Sequence, residues 1–150
     1  MKYLITESSL DKIVGKLLNS KQKLMPDEEA SKIIRMYLKS NPDVSIEHLI
    51  FEKLDNQNFT RIEKENNLYF FYEYEDEDDF AYIKYDEENG WCFIYFELVG
   101  QISFLFSLNE SDTEKIIGKW VENILQDKVT ETETVTFWNS SVMRMPRYIY

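Results

Sequence analysis

One cysteine, one histidine, four glycines and three prolines in 150 residues exclude several kinds of chemistry at once. A lone Cys92 cannot build an intramolecular disulfide framework or a multi-cysteine metal site. His48 is the only other soft ligand, so a zinc centre of three or four His, Cys or carboxylate ligands is not expected. Gly15, Gly90, Gly100 and Gly118 are scattered, so the glycine loops that cradle phosphates are missing. So few Gly and Pro also exclude a collagen-like or linker-dominated chain. No run approaches the ~20 apolar residues that span a bilayer. The start, Met1 to Glu7, offers only Tyr3-Leu4-Ile5 before polar residues, too short for a secretory apolar region.

Basic residues are the other scarcity. There are 17 Lys plus Arg against 28 Asp plus Glu, a formal net charge of −11. Nonspecific nucleic-acid binding rests on cations that neutralise phosphates, and docking on anionic membranes needs them too. Neither is expected here. The partner implied is a protein, either a basic one or a second copy of the chain, and no cofactor is implied.

Apolar material is plentiful: 43% of residues are hydrophobic and 15% aromatic. That supports one packed core and argues against disorder. Length favours a single domain over 1–150. It divides into a helical part (1–55), a sheet-plus-helix part (56–138) and a tail (139–150). The charge is uneven. Residues 61–97 carry three basic and twelve acidic side chains, a local −9, whereas 1–25 carry +3 and 134–150 carry +2.

Helical periodicity dominates the first third. Ser8 and Asp11 have capping-box spacing, and Leu10, Ile13, Val14, Leu17 and Leu18 follow on one stripe. Gly15 costs this helix about 1 kcal/mol relative to Ala, a cost that close packing would justify. Pro26-Asp27-Glu28-Glu29 suits a helix start, and Asn41-Pro42-Asp43 a stop. Ser45 caps a third helix with Ile46, Leu49, Ile50 and Leu54 inward.

The period then becomes two. Phe59 and Ile62 mark a weak strand, and Glu65-Asn66-Asn67 a turn. Leu68 to Glu75 alternates strongly, and Asp76 to Asp79 form a loop. Phe80 to Tyr85 is the next strand, and Asp86 to Gly90 a hairpin with an Asn-Gly signal. Trp91 to Leu98, apolar on both faces, reads as an interior strand. Residues 99–108 fit a short helical turn better than a strand. Ser111 and Glu114 read as a capping box for a helix over 111–127, and Val129 to Trp138 as a final strand. Helices and strands in blocks imply an α+β fold with an antiparallel meander of three to four strands.

Candidate sites are few. His48 and Cys92 are a conceivable base and nucleophile, but a cysteine buried in an apolar strand is inert and His48 sits on a helix face. A carboxylate pair for acid–base work needs one member in an apolar pocket; Glu73 and Glu97, in or beside aromatic strands, come nearest. Glu73, Glu75, Asp76, Glu77, Asp78 and Asp79 offer oxygen ligands for Ca²⁺ or Mg²⁺ but lack the EF-hand pattern, so a solvated acidic loop is the simpler account. The same residues, with Asp86, Glu87 and Glu88, would form a negative surface if both loops shared one end of the meander, beside Tyr72, Tyr74, Tyr82 and Tyr85. The tail carries interface-type residues, Met143, Arg144, Met145, Arg147, Tyr148 and Tyr150, which would pack on the domain itself or on a neighbour.

Two stretches carry a resemblance. Met1-Lys2-Tyr3-Leu4-Ile5-Thr6-Glu7, with Leu10, resembles the MKxxITExxL start of small proteins of tailed bacteriophages. Gly118-Lys119-Trp120-Val121-Glu122, with Leu125, Lys128 and Val129, resembles the GxWVExxLxxKV stretch near the end of the same proteins. About twenty positions are covered, and the helix at 26–39 departs from the pattern. The resemblance implies a phage-encoded, non-catalytic interaction protein in host cytoplasm or virion, a minor structural, assembly or accessory component. An acidic inhibitor that mimics DNA, or a small carboxylate enzyme, are the alternatives.

Overall fold

The computed structural model describes residues 7–19, 27–71 and 80–144. Three helices come first: α1 (Glu7–Asn19), α2 (Asp27–Ser40) and α3 (Ile46–Asp55). The Ser45 hydroxyl accepts the His48 N–H and caps α3, as its position before an apolar stripe implies. Four strands follow, β1 (Thr60–Lys64), β2 (Asn67–Phe71), β3 (Ile83–Asp86) and β4 (Trp91–Tyr95). They pair antiparallel in chain order. Then come α4 (Phe96–Phe106), α5 (Glu110–Leu125), β5 (Glu131–Val135) and a 3₁₀ segment (Phe137–Met143).

The α+β class and the meander are as expected, but the sheet has five strands in the order β1-β2-β3-β4-β5, and β5 lies parallel to β4. Parallel neighbours need a long crossover, here supplied by α4 and α5. The strand expected over 91–98 ends at Tyr95. Beyond it Leu98, Val99, Ile102 and Phe106 are buried at helical spacing. The helical reading of 99–108 is right in kind, and the apolar run from Trp91 to Phe96 hid only where the period changes, because a buried strand and a buried helix look alike at that length. The cap of α5 is also different from the one expected. Asn109, not Ser111, sits at the N-cap and accepts the Asp112 N–H at 2.8 Å.

All five helices share one core with the near face of the sheet. Phe70, Ile83, Tyr85, Cys92 and Ile94 meet Val14, Ile34, Ile50, Leu98, Ile117 and Val121 there. The Trp120 indole N–H donates to Asp55 at 2.8 Å, tying α5 to the end of α3. Two smaller clusters cover part of the far face: Tyr69, Phe71 and Ala81 with Ile62, and Tyr95, Val135 and Met143 with Phe80, Tyr82 and Phe93.

The close packing expected at Gly15 is found at Gly118 instead. A Cβ on Gly15 would meet nothing within 4 Å, so close packing does not explain it. A Cβ on Gly118 would lie 2.6 Å from Thr132 Cγ2, so this is where a helix approaches the sheet too closely for any side chain.

Candidate functional site

The two hairpin turns on the same end of the sheet define its most charged surface. The β1–β2 turn consists of Glu65 and Asn66, both with positive φ (54° and 64°), and closes on the Lys64–Asn67 pair. That is a two-residue primed turn, whose twist matches the strands; Asn67 belongs to β2 rather than to the turn. The β3–β4 loop spans 87–90, longer than the bare Asn-Gly signal suggests. The Asp86 carboxylate organises it, accepting the Glu88 N–H at 3.0 Å and the Asn89 amide at 2.8 Å. Gly90 has φ 72°, and its N–H donates to the Asp86 carbonyl at 2.8 Å. The Glu87 N–H donates to the Asn66 carbonyl at 3.0 Å and joins the two turns. The α5–β5 connection is tied to the same place, because the Thr130 N–H donates to the Gly90 carbonyl at 2.7 Å.

This end therefore gathers Glu63, Glu65, Asp86, Glu87, Glu88, Asp127 and Glu131, with Lys64 and Lys128 as the basic residues among them. Five strands at about 4.8 Å spacing make the edge roughly 20 Å wide. Seven carboxylates in that width repel one another. Partial desolvation, and then the neighbouring Glu63 and Asp127 carboxylates, hold the Glu87 carboxyl above its ordinary range. On the far face the row runs Lys64, Asn67, Asp86, Trp91, Glu131 across the five strands. Trp91 is 41% exposed, so a large aromatic ring stands in the open between strands that carry acids directly opposite it. Such a ring, flanked by carboxylates, suits a Lys or Arg side chain, by charge and by cation–π attraction.

The structure separates the rest of the expected surface. Residues 73–79 (Glu73, Glu75, Asp76, Glu77, Asp78, Asp79), with Tyr72 and Tyr74, lie outside the described residues. Their flanks, Phe71 and Phe80, belong to the end of the sheet opposite the 86–90 loop. Successive turns of a meander alternate ends, so these flanks and the 86–90 loop lie at opposite ends of the sheet. Tyr85 is not on a surface either. It is 1% exposed, and its hydroxyl donates to Asp127 at 3.0 Å. Burial, and then that hydrogen bond and nearby carboxylates, push its pKa to about 12. Tyr82 is half-buried in the far-face cluster.

The tail divides in the same way. Met143 is fully buried against Tyr95 and Val135, and its carbonyl accepts the Ala81 N–H at 2.9 Å, so it packs on its own domain and is not an interface residue. Arg144 is exposed beside Phe80. Met145, Arg147, Tyr148 and Tyr150 lie outside the described residues.

The conceivable enzyme groups do not assemble. Cys92 is sealed in the sheet, and burial pushes its thiol up to about 12, away from the thiolate a nucleophile needs. His48 is exposed on α3. Glu97 stands exposed in the first turn of α4, without the apolar pocket an acid would require, and Glu73 lies outside the described residues. Among the described residues no group of three His, Cys, Asp or Glu side chains is placed to hold a metal ion. No described helix is long and apolar enough to cross a membrane.

Sequence reasoning missed Glu63, Glu65, Asp127 and Glu131, because only the strand register brings them beside Asp86. It also missed two other exposed features. Phe137 (65%) and Trp138 (91%) stand out from the 3₁₀ segment with ring centroids 5.8 Å apart. An open groove of about 530 Å³ lies between α2 and α4, lined by Ser31, Arg35, Ser103 and Phe104 among others. Compared with protein-family models, characterised proteins and solved structures, the chain has no significant match.

Proposed function

We propose that this chain is a non-catalytic, acidic protein-interaction module that holds a basic partner at the hairpin end of its sheet. The carrying observation is the gathering of seven carboxylates at one end of the sheet, two of them (Asp86 and Glu131) directly opposite the 41% exposed Trp91, against two lysines. Interfaces are built from an aromatic anchor within a polar rim, and charge of one sign steers a partner of the other. The burial of Cys92 and the exposure of Glu97 speak against nucleophilic or carboxylate chemistry. The resemblance of both termini to tailed-phage proteins supports a minor structural, assembly or accessory role within that reading.

The test compares the immobilised chain with its Glu87→Lys/Glu88→Lys/Glu131→Lys variant in lysates of phage-infected cells. A virion or assembly protein retained by the parent, released by salt and absent from the variant supports the proposal. Capture of a nuclease or polymerase that competing DNA displaces assigns the face to DNA mimicry instead. Equal capture by both proteins refutes a role for this surface.

A further inference from the structure

The outer edge of β1 has a pattern that the acidic end does not use. β1 is an edge strand, paired on one side with β2. Its primed turn closes on a hydrogen-bonded Lys64–Asn67 pair, so by alternation Ile62–Tyr69 and Thr60–Phe71 are hydrogen-bonded pairs too. The other side of β2 agrees: the Phe70 carbonyl accepts from Tyr82 and the Asn66 carbonyl from Glu87, both toward β3. The N–H and C=O groups of Arg61 and Glu63 therefore point away from β2. Among the described residues no turn or loop backbone hydrogen bond uses them.

The side chains of this edge read Thr60-Arg61-Ile62-Glu63-Lys64, which is complementary to itself when reversed. Turned about Ile62, Arg61 faces a second Glu63, Glu63 a second Arg61, and Ile62 a second Ile62. The backbone agrees with the charges. Arg61 and Glu63, whose polar groups point outward, become the hydrogen-bonded pairs, and Ile62 becomes the close non-hydrogen-bonded pair.

We infer that two copies of this chain join antiparallel through β1, about a two-fold axis at Ile62, into one ten-stranded sheet. Each Arg61 then meets the partner copy's Glu63, twice per dimer, and four ladder hydrogen bonds close the seam. Arg61 and Glu63 are both exposed, so the helix layer leaves this edge clear. Neither described ion pair, Lys32–Glu28 or Lys119–Glu47, involves them. Glu63 instead has Glu87 as a neighbour, hydrogen-bonded to it and of like charge, and a guanidinium from the second copy relieves the repulsion between them. Ile62, half-buried beside Tyr69 and Phe71, gains its twin as cover. The opposite edge is built against the same event. In β5, Glu131 and Glu133 meet each other or themselves in any such pairing centred on residues 131–133, and edges are commonly protected by charge in this way.

Sedimentation velocity of the full chain, from micromolar to submillimolar concentration, tests this. The parent is expected to pass from monomer to dimer over that range. Arg61→Glu and Glu63→Arg, each turning two attractions into two repulsions, are expected to weaken association at least about thirtyfold. The Arg61→Glu/Glu63→Arg double variant exchanges the charges and restores the dimer, which no loss of folding can imitate. Glu88→Lys, remote from the seam, leaves the mass unchanged, so this result and the partner-binding test are independent. A parent that stays monomeric throughout overturns the inference. So does a dimer indifferent to the single variants, or one the double variant does not recover.

Discussion

Gly15 and Gly118 are both interior helical glycines, and the structure assigns opposite signs to the same substitution. Replacing an unhindered helical Gly with Ala stabilises by about 0.5 to 1 kcal/mol, because Gly loses more backbone freedom on folding. At Gly15 the new methyl meets nothing within 4 Å, so Gly15→Ala should realise that gain. At Gly118 the same gain is offered, but the methyl arrives 2.6 Å from Thr132 Cγ2. Ordinary carbon contacts lie near ~3.5–4.0 Å, so helix and strand must part by about 1 Å. Overpacking of that kind costs about 1–3 kcal/mol, which exceeds the propensity gain. Gly118→Ala should therefore destabilise by about 1 kcal/mol net, a fall in Tm of about 2–4 °C for a chain of this size. Thr132→Ser removes the offending methyl, and in that background Gly118→Ala should become neutral or stabilising, a coupling of about 1–2 kcal/mol. Urea unfolding of the four variants of this cycle, with Gly15→Ala alongside, measures every term. If Gly118→Ala stabilises as much as Gly15→Ala, or if the cycle shows no coupling, the close approach of α5 to β5 is refuted.

Other expectations follow from single contacts. Asn109→Ala should cost about 1 kcal/mol in urea unfolding, and Ser111→Ala much less, because Asn109 caps α5. Native Cys92 should resist a thiol reagent and react only when the chain unfolds; rapid native labelling would contradict its burial. The raised pKa of Tyr85 sets an alkaline limit. Its unfolded form loses its proton near pH 10, the folded form only near about 12, so the stability it contributes is complete below pH 10 and disappears as pH rises to about 12. Tyrosinate absorbance should accordingly rise together with the loss of ellipticity, whereas ionisation of all tyrosines near pH 10 with the fold intact would be the opposite result.

What could be read from the residues was what local chemistry decides. Pro26, Asn41-Pro42 and Ser45 punctuate α2 and α3 where the structure begins and ends them. The alternation around Leu68, Phe70, Ile83 and Tyr85 fixes which side chains enter the core. Period and punctuation fail where apolar residues run without interruption, as from Trp91 to Phe96, and there the change from strand to helix was expected three residues too late. They also say nothing about direction. Glu131 to Val135 alternates like any edge strand, and its parallel pairing with β4 depends on the path through α4 and α5. The acidic end was half legible for the same reason. Asp86, Glu87 and Glu88 are neighbours in sequence, while Glu63, Asp127 and Glu131 reach them only through register and crossover. Met143, an interface type of residue in a tail, is a core residue by position, and Tyr85, set beside the acidic surface by its neighbours in sequence, is buried as its alternation requires.

Three tryptophans report on binding at the acidic end without the partner being known. Trp91 lies in the acidic end, Trp138 at the far end of β5, and the Trp120 indole is held by Asp55 inside the domain. An arginine-rich peptide, titrated into the labelled protein at low salt and followed by indole N–H resonances, addresses each separately. Saturable shifts are expected of Trp91 and of the amides of Glu87, Glu88 and Glu131, with little change at Trp120 and Trp138, and with loss of the effect in the Glu87→Lys/Glu88→Lys/Glu131→Lys variant. Shifts centred on Trp138 or on the helices, or shifts at Trp91 that persist after the charges are reversed, would contradict binding at the acidic end.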